Sequence, residues 1–164
     1  MSQAPSAVLS CGRPSTSYLK RMAHFSVASC TSSLLMIRIG TGRRHQIRLH
    51  CAHMGHVVVT DSKYAALDLY RLDTEWCPRN FLHRFSLTFW TGAEEMSAIE
   101  ALPADLSAVL KVAVMLRSNV DVYQWTEQPK AWEELNVWCN GRTKAAMEVG
   151  GVELVPKKQA FNSQ

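Results

Sequence analysis

The stretch Gly40-Thr41-Gly42-Arg43-Arg44-His45-Gln46-Ile47-Arg48-Leu49-His50 carries three arginines, two histidines and a glutamine in eleven residues. It lies between two apolar runs, Leu34 to Ile39 and Val57 to Thr60. The first run is short, apolar and partly β-branched, which reads as a buried strand. The block itself reads as a helix over about 43–54. Thr41 is placed to cap that helix with its hydroxyl, and Gly42 to turn the chain into it. Gly55 is placed to stop it. Arg44 and Arg48, four apart, project from one helical face, and Arg43, Ile47, His50 and Met54 form a neighbouring row. Guanidinium groups at a helix start make a site for phosphate or carboxylate. Each offers two parallel hydrogen bonds, and the helix end adds positive charge.

The surroundings of this block carry the same sign of charge. Between Arg38 and His56 there are four arginines, four histidines and no acid. Over the whole chain of 164 residues the net charge is only +4, so the distribution matters more than the sum. A basic patch without acids is a footprint for a phosphate backbone, and equally the pattern of a solvated helix face. A hydrophobic share of 47% with 20% charged residues is that of a globular protein with a core. The five cysteines, Cys11, Cys30, Cys51, Cys77 and Cys139, are scattered and form no CxxC pair. A reduced intracellular protein, in the cytoplasm or an organelle, is the simplest reading of that usage. No apolar run reaches membrane-spanning length. His50, His53 and His56 with Cys51 between them do not make a zinc site, because His56 lies beyond the glycine stop and no second ligand pair anchors them.

Along the rest of the chain, residues 1–17 read as an irregular leader. Ser17 to Met22 and Phe25 to Cys30 read as two strands, and Thr31-Ser32-Ser33 as a turn. Val57 to Thr60 reads as a short strand, and Tyr64 to Tyr70 as a turn with a helical piece. Phe81 to Trp90 alternates, with Phe81, His83, Phe85, Leu87 and Phe89 on one face. A polar break follows at Thr91-Gly92-Ala93-Glu94-Glu95. Ala101 to Asp105 opens a helix, with proline in its first turn and an acid at its positive end. Leu102, Leu106, Val109, Leu110, Ala113 and Leu116 would form that helix's apolar face. Further on, 130–139 reads as a short helix and 149–155 as a short strand, with Trp125, Trp132 and Trp138 as packing residues.

The string from Ile37 to His50, with Met54-Gly55-His56 after it, resembles the signature of the RluA/RsuA-like RNA pseudouridine synthases. In that family a strand runs into T-G-R-x-H-Q-I-R-x-H, followed by a Gly-Asp-x-x-Tyr segment. Here the latter reads Thr60-Asp61-Ser62-Lys63-Tyr64, with Thr60 at the family's glycine. Arg79-Asn80-Phe81-Leu82-His83-Arg84-Phe85-Ser86-Leu87-Thr88-Phe89 resembles the family's R-x-x-L-H-A-x-x-L-x-F strand. Ala101 to Leu106 resembles its A-P-L-P-x-D-L. The three blocks keep the family's order and spacing and cover roughly 18–116. Residues 18–117 are accordingly expected to form part of a catalytic domain, and 118–164 a C-terminal extension with no matching pattern.

The resemblance implies an α+β fold, a mixed, mostly antiparallel sheet with flanking helices. It implies isomerisation of uridine to pseudouridine in rRNA or tRNA, without cofactor or metal, by a protein expected to be a monomer. By position, Arg48 resembles the arginine that holds the catalytic aspartate. Arg43, Arg44, His45, Gln46 and Arg79 resemble RNA-binding residues. Leu82 and Tyr64 resemble residues beside the flipped uridine. The family's aspartate segment, H-R-L-D-x-x-T-S-G, is not among these residues. Arg71-Leu72-Asp73-Thr74 is similar to it only superficially and lies on the wrong side of the arginine block. Two readings follow: a C-terminal piece of a pseudouridine synthase, or a catalytically inactive RNA-binding relative.

Overall fold

A computed structural model describes residues 7–9, 11–27 and 30–118. The chain opens with two long antiparallel strands, β1 (Ser17–Val27) and β2 (Cys30–Ile39). They pair from Val27↔Cys30 to Ser17↔Ile39, with a register shift between Arg21 and Ala23. At that bulge the consecutive residues Met22 and Ala23 are both buried, which strict alternation forbids. The strand expected at Ser17–Met22 and the Phe25–Val27 part of the one expected at Phe25–Cys30 are therefore one bent strand, and Cys30 opens β2. Thr31 to Ser33, expected to turn, pair with Ser26, Phe25 and His24. Ladder pairing with β1 overrides their local turn preference.

Next come α1 (Gln46–His53), α2 (Leu67–Thr74), the hairpin β3 (Ser86–Trp90) and β4 (Glu95–Ile99), α3 (Ala104–Val112) and β5 (Val114–Ser118). Strand order in the larger sheet is β2-β1-β5, and β3 pairs only with β4 among the described residues. Every strand pairing among the described residues is antiparallel. The fold is α+β with antiparallel sheets and helices, as the resemblance implies. No helix among the described residues is long and apolar enough to cross a membrane.

Helix α3 joins the layers. Leu106, Val109 and Leu110 are buried at helical spacing. Leu110 packs with Ala23 and Phe25 of the sheet, while Leu106 and Val109 pack with Cys77. Phe81 and Leu102 touch both clusters. The expected helical face continues only to Val112; Ala113 is extended, and Leu116 lies in β5. Pairing of 114–118 with β1 takes those residues out of the helix. Likewise the strand expected over 81–90 begins only at Ser86. Its partner β4, which the polar break concealed, ends at Ile99 opposite Ser86. Phe81 instead donates its backbone N–H to the Val59 carbonyl at 3.0 Å. The helix and strand expected over 130–139 and 149–155, and the packing of Trp125, Trp132 and Trp138, lie outside the described residues.

Helix α1 is shorter than expected at its start and ends as expected. His45 takes a left-handed conformation, φ 56°, so 43–45 form a turn and the helix begins at Gln46. At the other end Gly55 has φ 81°. Its N–H reaches the Ala52 carbonyl, and the His56 N–H reaches Cys51, which closes the helix in a Schellman motif.

The expected strand at Val57–Thr60 is a turn. Thr60 adopts φ 56° at the position where the resembling family has glycine. A β-branched residue there costs about 1–2 kcal/mol. Two hydrogen bonds and burial hold it. The backbone N–H of Thr60 bonds to Asp73 Oδ2 at 2.9 Å, its hydroxyl donates to the Cys77 carbonyl at 3.1 Å, and the residue is 4% exposed. Thr60→Gly relieves the strain but loses a hydrogen bond of about 0.5–1.5 kcal/mol, so its thermal midpoint should stay close to the parent's. Thr60→Val keeps the strain and strips the Cys77 carbonyl of its partner. It should lower stability by about 1–3 kcal/mol in a denaturant melt.

Candidate functional site around Arg48

Gln46 organises the loop that carries the arginines. Its side chain is 4% exposed. Oε1 accepts the Thr41 hydroxyl at 2.7 Å and the Arg43 backbone N–H at 3.1 Å. Nε2 donates to the Thr16 carbonyl at 2.9 Å and to Ser17 Oγ at 3.1 Å. One amide therefore ties the loop ahead of α1 to the start of β1. The sequence reading assigns Gln46 to RNA binding; in the structure both polar atoms of its amide are engaged inside the protein. Thr41, expected to cap the helix backbone, serves Gln46 instead.

One turn into α1, Arg48 meets Asp61. Nε donates to Oδ2 at 2.7 Å and Nη2 to Oδ1 at 2.6 Å, a two-bond fork. The Arg48 side chain is 17% exposed and Asp61 0%. Asp61 Oδ1 also accepts the backbone N–H groups of Lys63 and Tyr64, at 3.0 and 3.1 Å. That fixes the turn at 62–64, as an Asp at a turn start does. Burial by itself would raise the Asp61 carboxyl. The Arg48 guanidinium and the two N–H donors outweigh it and hold the pKa below the ordinary 3.8. The same pair raises Arg48 further above its ordinary value. Removing one partner of so buried a pair costs about 3–5 kcal/mol, because the other charge is stranded.

Tyr64 completes the group. Its ring lies 5.1 Å from the Arg48 guanidinium carbon and 5.7 Å from Lys63 Nζ. Its hydroxyl bonds to His45 Nδ1 at 2.8 Å, with the two rings edge to face. His45 is pushed below its ordinary 6.5, first by burial and then by Arg48, Lys63 and Arg44. The local field is thus positive, and His45 is neutral at neutral pH.

The other predicted residues are spread around this centre. Arg43 and Arg44 are exposed on the loop just ahead of α1. Arg79 is engaged by Asp105 in the first turn of α3, through bonds of 2.6 and 3.1 Å. His50 Nε2 bonds to Ser15 Oγ at 3.0 Å. Leu82, 36% exposed, lines an apolar cleft of ≈ 790 Å³ with Met36, Ile47, Cys51, Val58 and Phe81. Arg48 and Tyr64 are not among the residues lining that cleft. Ile47 faces it and Arg48, one residue on, is bound to Asp61, so α1 separates the apolar space from the charged group. No cluster of three or more metal-ligating side chains occurs among the described residues.

Sequence reasoning missed the partner of Arg48. It leaves Asp61 as one position of the Thr60-Asp61-Ser62-Lys63-Tyr64 segment, with no part assigned. Thirteen residues separate the two, a distance with no helical or strand periodicity to connect them. The Asp61–Tyr64 block was legible as part of the site's surroundings; the fork was not.

No family model matches the chain. Among curated proteins, 57 residues are 49% identical to a MATH and LRR domain-containing protein of Plasmodium falciparum, covering 35% of this chain and 1% of that protein. The chain is 36% identical over 87 residues to the mouse RNA pseudouridylate synthase domain-containing protein 1, covering 52% of this chain and 27% of the other. It is 43% identical over 58 residues to ribosomal large subunit pseudouridine synthase C of Buchnera aphidicola, covering 35% and 17%. The chain thus spans less than a third of the length of each of these relatives.

The direction of the Asp61 shift sets a pH dependence. A carboxylate with a lowered folded pKa contributes stability above its unfolded value of 3.8, and that stability is lost as pH falls through the folded pKa. Asp105 shifts the same way through Arg79. Asp73, raised by burial, acts in the opposite sense. In urea melts from about pH 5 to about pH 2, wild type should lose stability below 3.8 more steeply than Asp61→Asn, although the variant starts lower.

Proposed function

We propose, for a chain whose similarity is to RluA-like pseudouridine synthases, that it is the arginine-bearing part of an enzyme isomerising uridine in structured RNA. Relatives named for the ribosomal large subunit support rRNA as the substrate class. The observation that carries the reading is the guanidinium of Arg48. It is held by a two-bond fork in a positive field, in the helix that follows the arginine loop and shares its match to the family's signature.

The reaction breaks the bond between uracil N1 and the ribose, turns the base and rejoins it through C5. A carboxylate must act at the sugar or base, and Arg48 would orient it. Arg43 and Arg44 lie exposed beside that position and would neutralise backbone phosphates. Leu82, at the rim of the apolar cleft, would pack the flipped base, while Tyr64, which does not line that cleft, would hold the face of Arg48. His45 would reach the RNA only through the Tyr64 hydroxyl it shares. Arg79 would need to leave Asp105, or act jointly with it, to meet a phosphate.

The catalytic carboxylate is expected from a segment outside these 164 residues. Asp61 does not supply it: it is 0% exposed, and four hydrogen bonds occupy its oxygens. An arginine cannot stand in, since it stays protonated and is a poor nucleophile. The 164-residue chain, incubated with uridine-containing RNA, should therefore yield no pseudouridine on chemical tagging and mass spectrometry. A longer protein carrying the H-R-L-D segment should be active, and Arg48→Lys, which keeps a cation beside Asp61 but not the two-edged fork, should abolish that activity with the fold retained. Turnover by the 164-residue chain would overturn this assignment. RNA binding with no turnover by the longer protein would instead favour an inactive RNA-binding relative.

Binding provides a separate check. The affinity of the chain for structured RNA should fall steeply as salt rises. The double variant Arg43→Ala/Arg44→Ala should bind more weakly at low salt, with a shallower salt slope by about two counterions. Unchanged affinity would remove the loop from the RNA surface.

A further inference from the structure

Resting on that reading, we propose that Asp61 is a positioning residue. It fixes Arg48 by one edge of the guanidinium and leaves the other edge aligned as a fork for a second carboxylate. A guanidinium has two edges that match a carboxylate, one made of Nε–H with an Nη2–H and one made of Nη1–H with the other Nη2–H. Asp61 takes the first, through Nε at 2.7 Å and Nη2 at 2.6 Å. Tyr64 lies against a face of the group, 5.1 Å from ring centre to guanidinium carbon. The plane and the rotation of Arg48 are thereby set, while the side chain keeps 17% exposure. The Nη1 edge takes no part in the Asp61 fork.

Charge permits a second anion there. Asp61 neutralises Arg48 one to one, but its own charge is shared with the N–H groups of Lys63 and Tyr64. Lys63 and Arg44 remain close enough to depress His45 together with Arg48. The local balance of Arg44, Arg48, Lys63 and Asp61 is positive. Holding Arg48 in advance also removes the rotamer freedom that a mobile arginine would lose on binding. Asp61 therefore acts on the reaction through the direction of the arginine, without contact with the substrate.

The test has two arms. In the first, the 164-residue chain with nitrogen-15-labelled arginine is titrated with acetate and, at matched ionic strength, with inorganic phosphate. Acetate should shift the Arg48 Nη signals saturably and leave the Nε signal in place. In Asp61→Asn, acetate should move Nε as well. No saturable shift, displacement of the Nε signal in wild type, or a response to phosphate alone would each overturn the proposal. The wild-type titration needs no substitution, so it decides the matter even where Asp61→Asn fails to fold. In the second arm, the longer protein with the H-R-L-D segment is assayed. Asp61→Asn should lower kcat at least tenfold with KM for RNA within twofold, and Asp61→Glu should recover part of the loss. An unchanged kcat, or a change confined to KM, would overturn the proposal. Activity surviving in Arg48→Lys would instead overturn the reading on which it rests.

Discussion

The fork between Arg48 and Asp61 is the constraint that the centre of this structure depends on. A carboxylate with no solvent exposure is tolerated only where its charge is answered on every side. Here one guanidinium edge and two backbone N–H groups answer it. That requirement links three parts of the chain: helix α1, the turn at 60–61, and the turn through Lys63 and Tyr64. Moving any of them strands a buried charge. The same coupling gives Arg48 one orientation, which is what a site needs if a second group is to be aligned against it.

Backbone strain lies on both sides of this fork. His45 precedes Arg48 and Thr60 precedes Asp61, and both adopt a left-handed conformation that non-glycine residues rarely take. Each is held by side-chain bonds to distant residues: His45 by Tyr64, and Thr60 by Asp73 and Cys77. The Thr60 turn thus changes the chain's direction immediately before Asp61, and the His45 turn does so three residues before Arg48. Such strain persists only where surrounding contacts over-determine it, and it collects where residues must be aimed.

Gln46 and helix α1 divide the region into two chemical environments. On one side stand the charged group and the exposed arginines of the loop. On the other is the apolar cleft lined by Ile47, Cys51 and Leu82, where burial pushes the Cys51 thiol up. An eight-residue helix separates the two environments because neighbouring positions project about 100° apart, so Ile47 and Arg48 face different sides.

The sequence by itself determined the α+β class and the family likeness. It also determined the strand before the arginine loop, the glycine stop of α1 and the apolar spacing of α3. These rest on local chemistry: glycine's freedom at positive φ, residue periodicity, and a motif in which most positions are specified. Tertiary structure alone decided that Ser17–Val27 is a single bulged strand, that Val114–Ser118 leaves its helix for the sheet, and that Val57–Thr60 turns. It alone gave Gln46 its buried role and Arg48 its partner. Each of these outcomes depends on what lies across space: a strand edge to pair with, a carbonyl needing a donor, a carboxylate needing a cation. Sequence spacing carries periodicity along one element. It does not record which two elements the packed core brings within hydrogen-bonding distance.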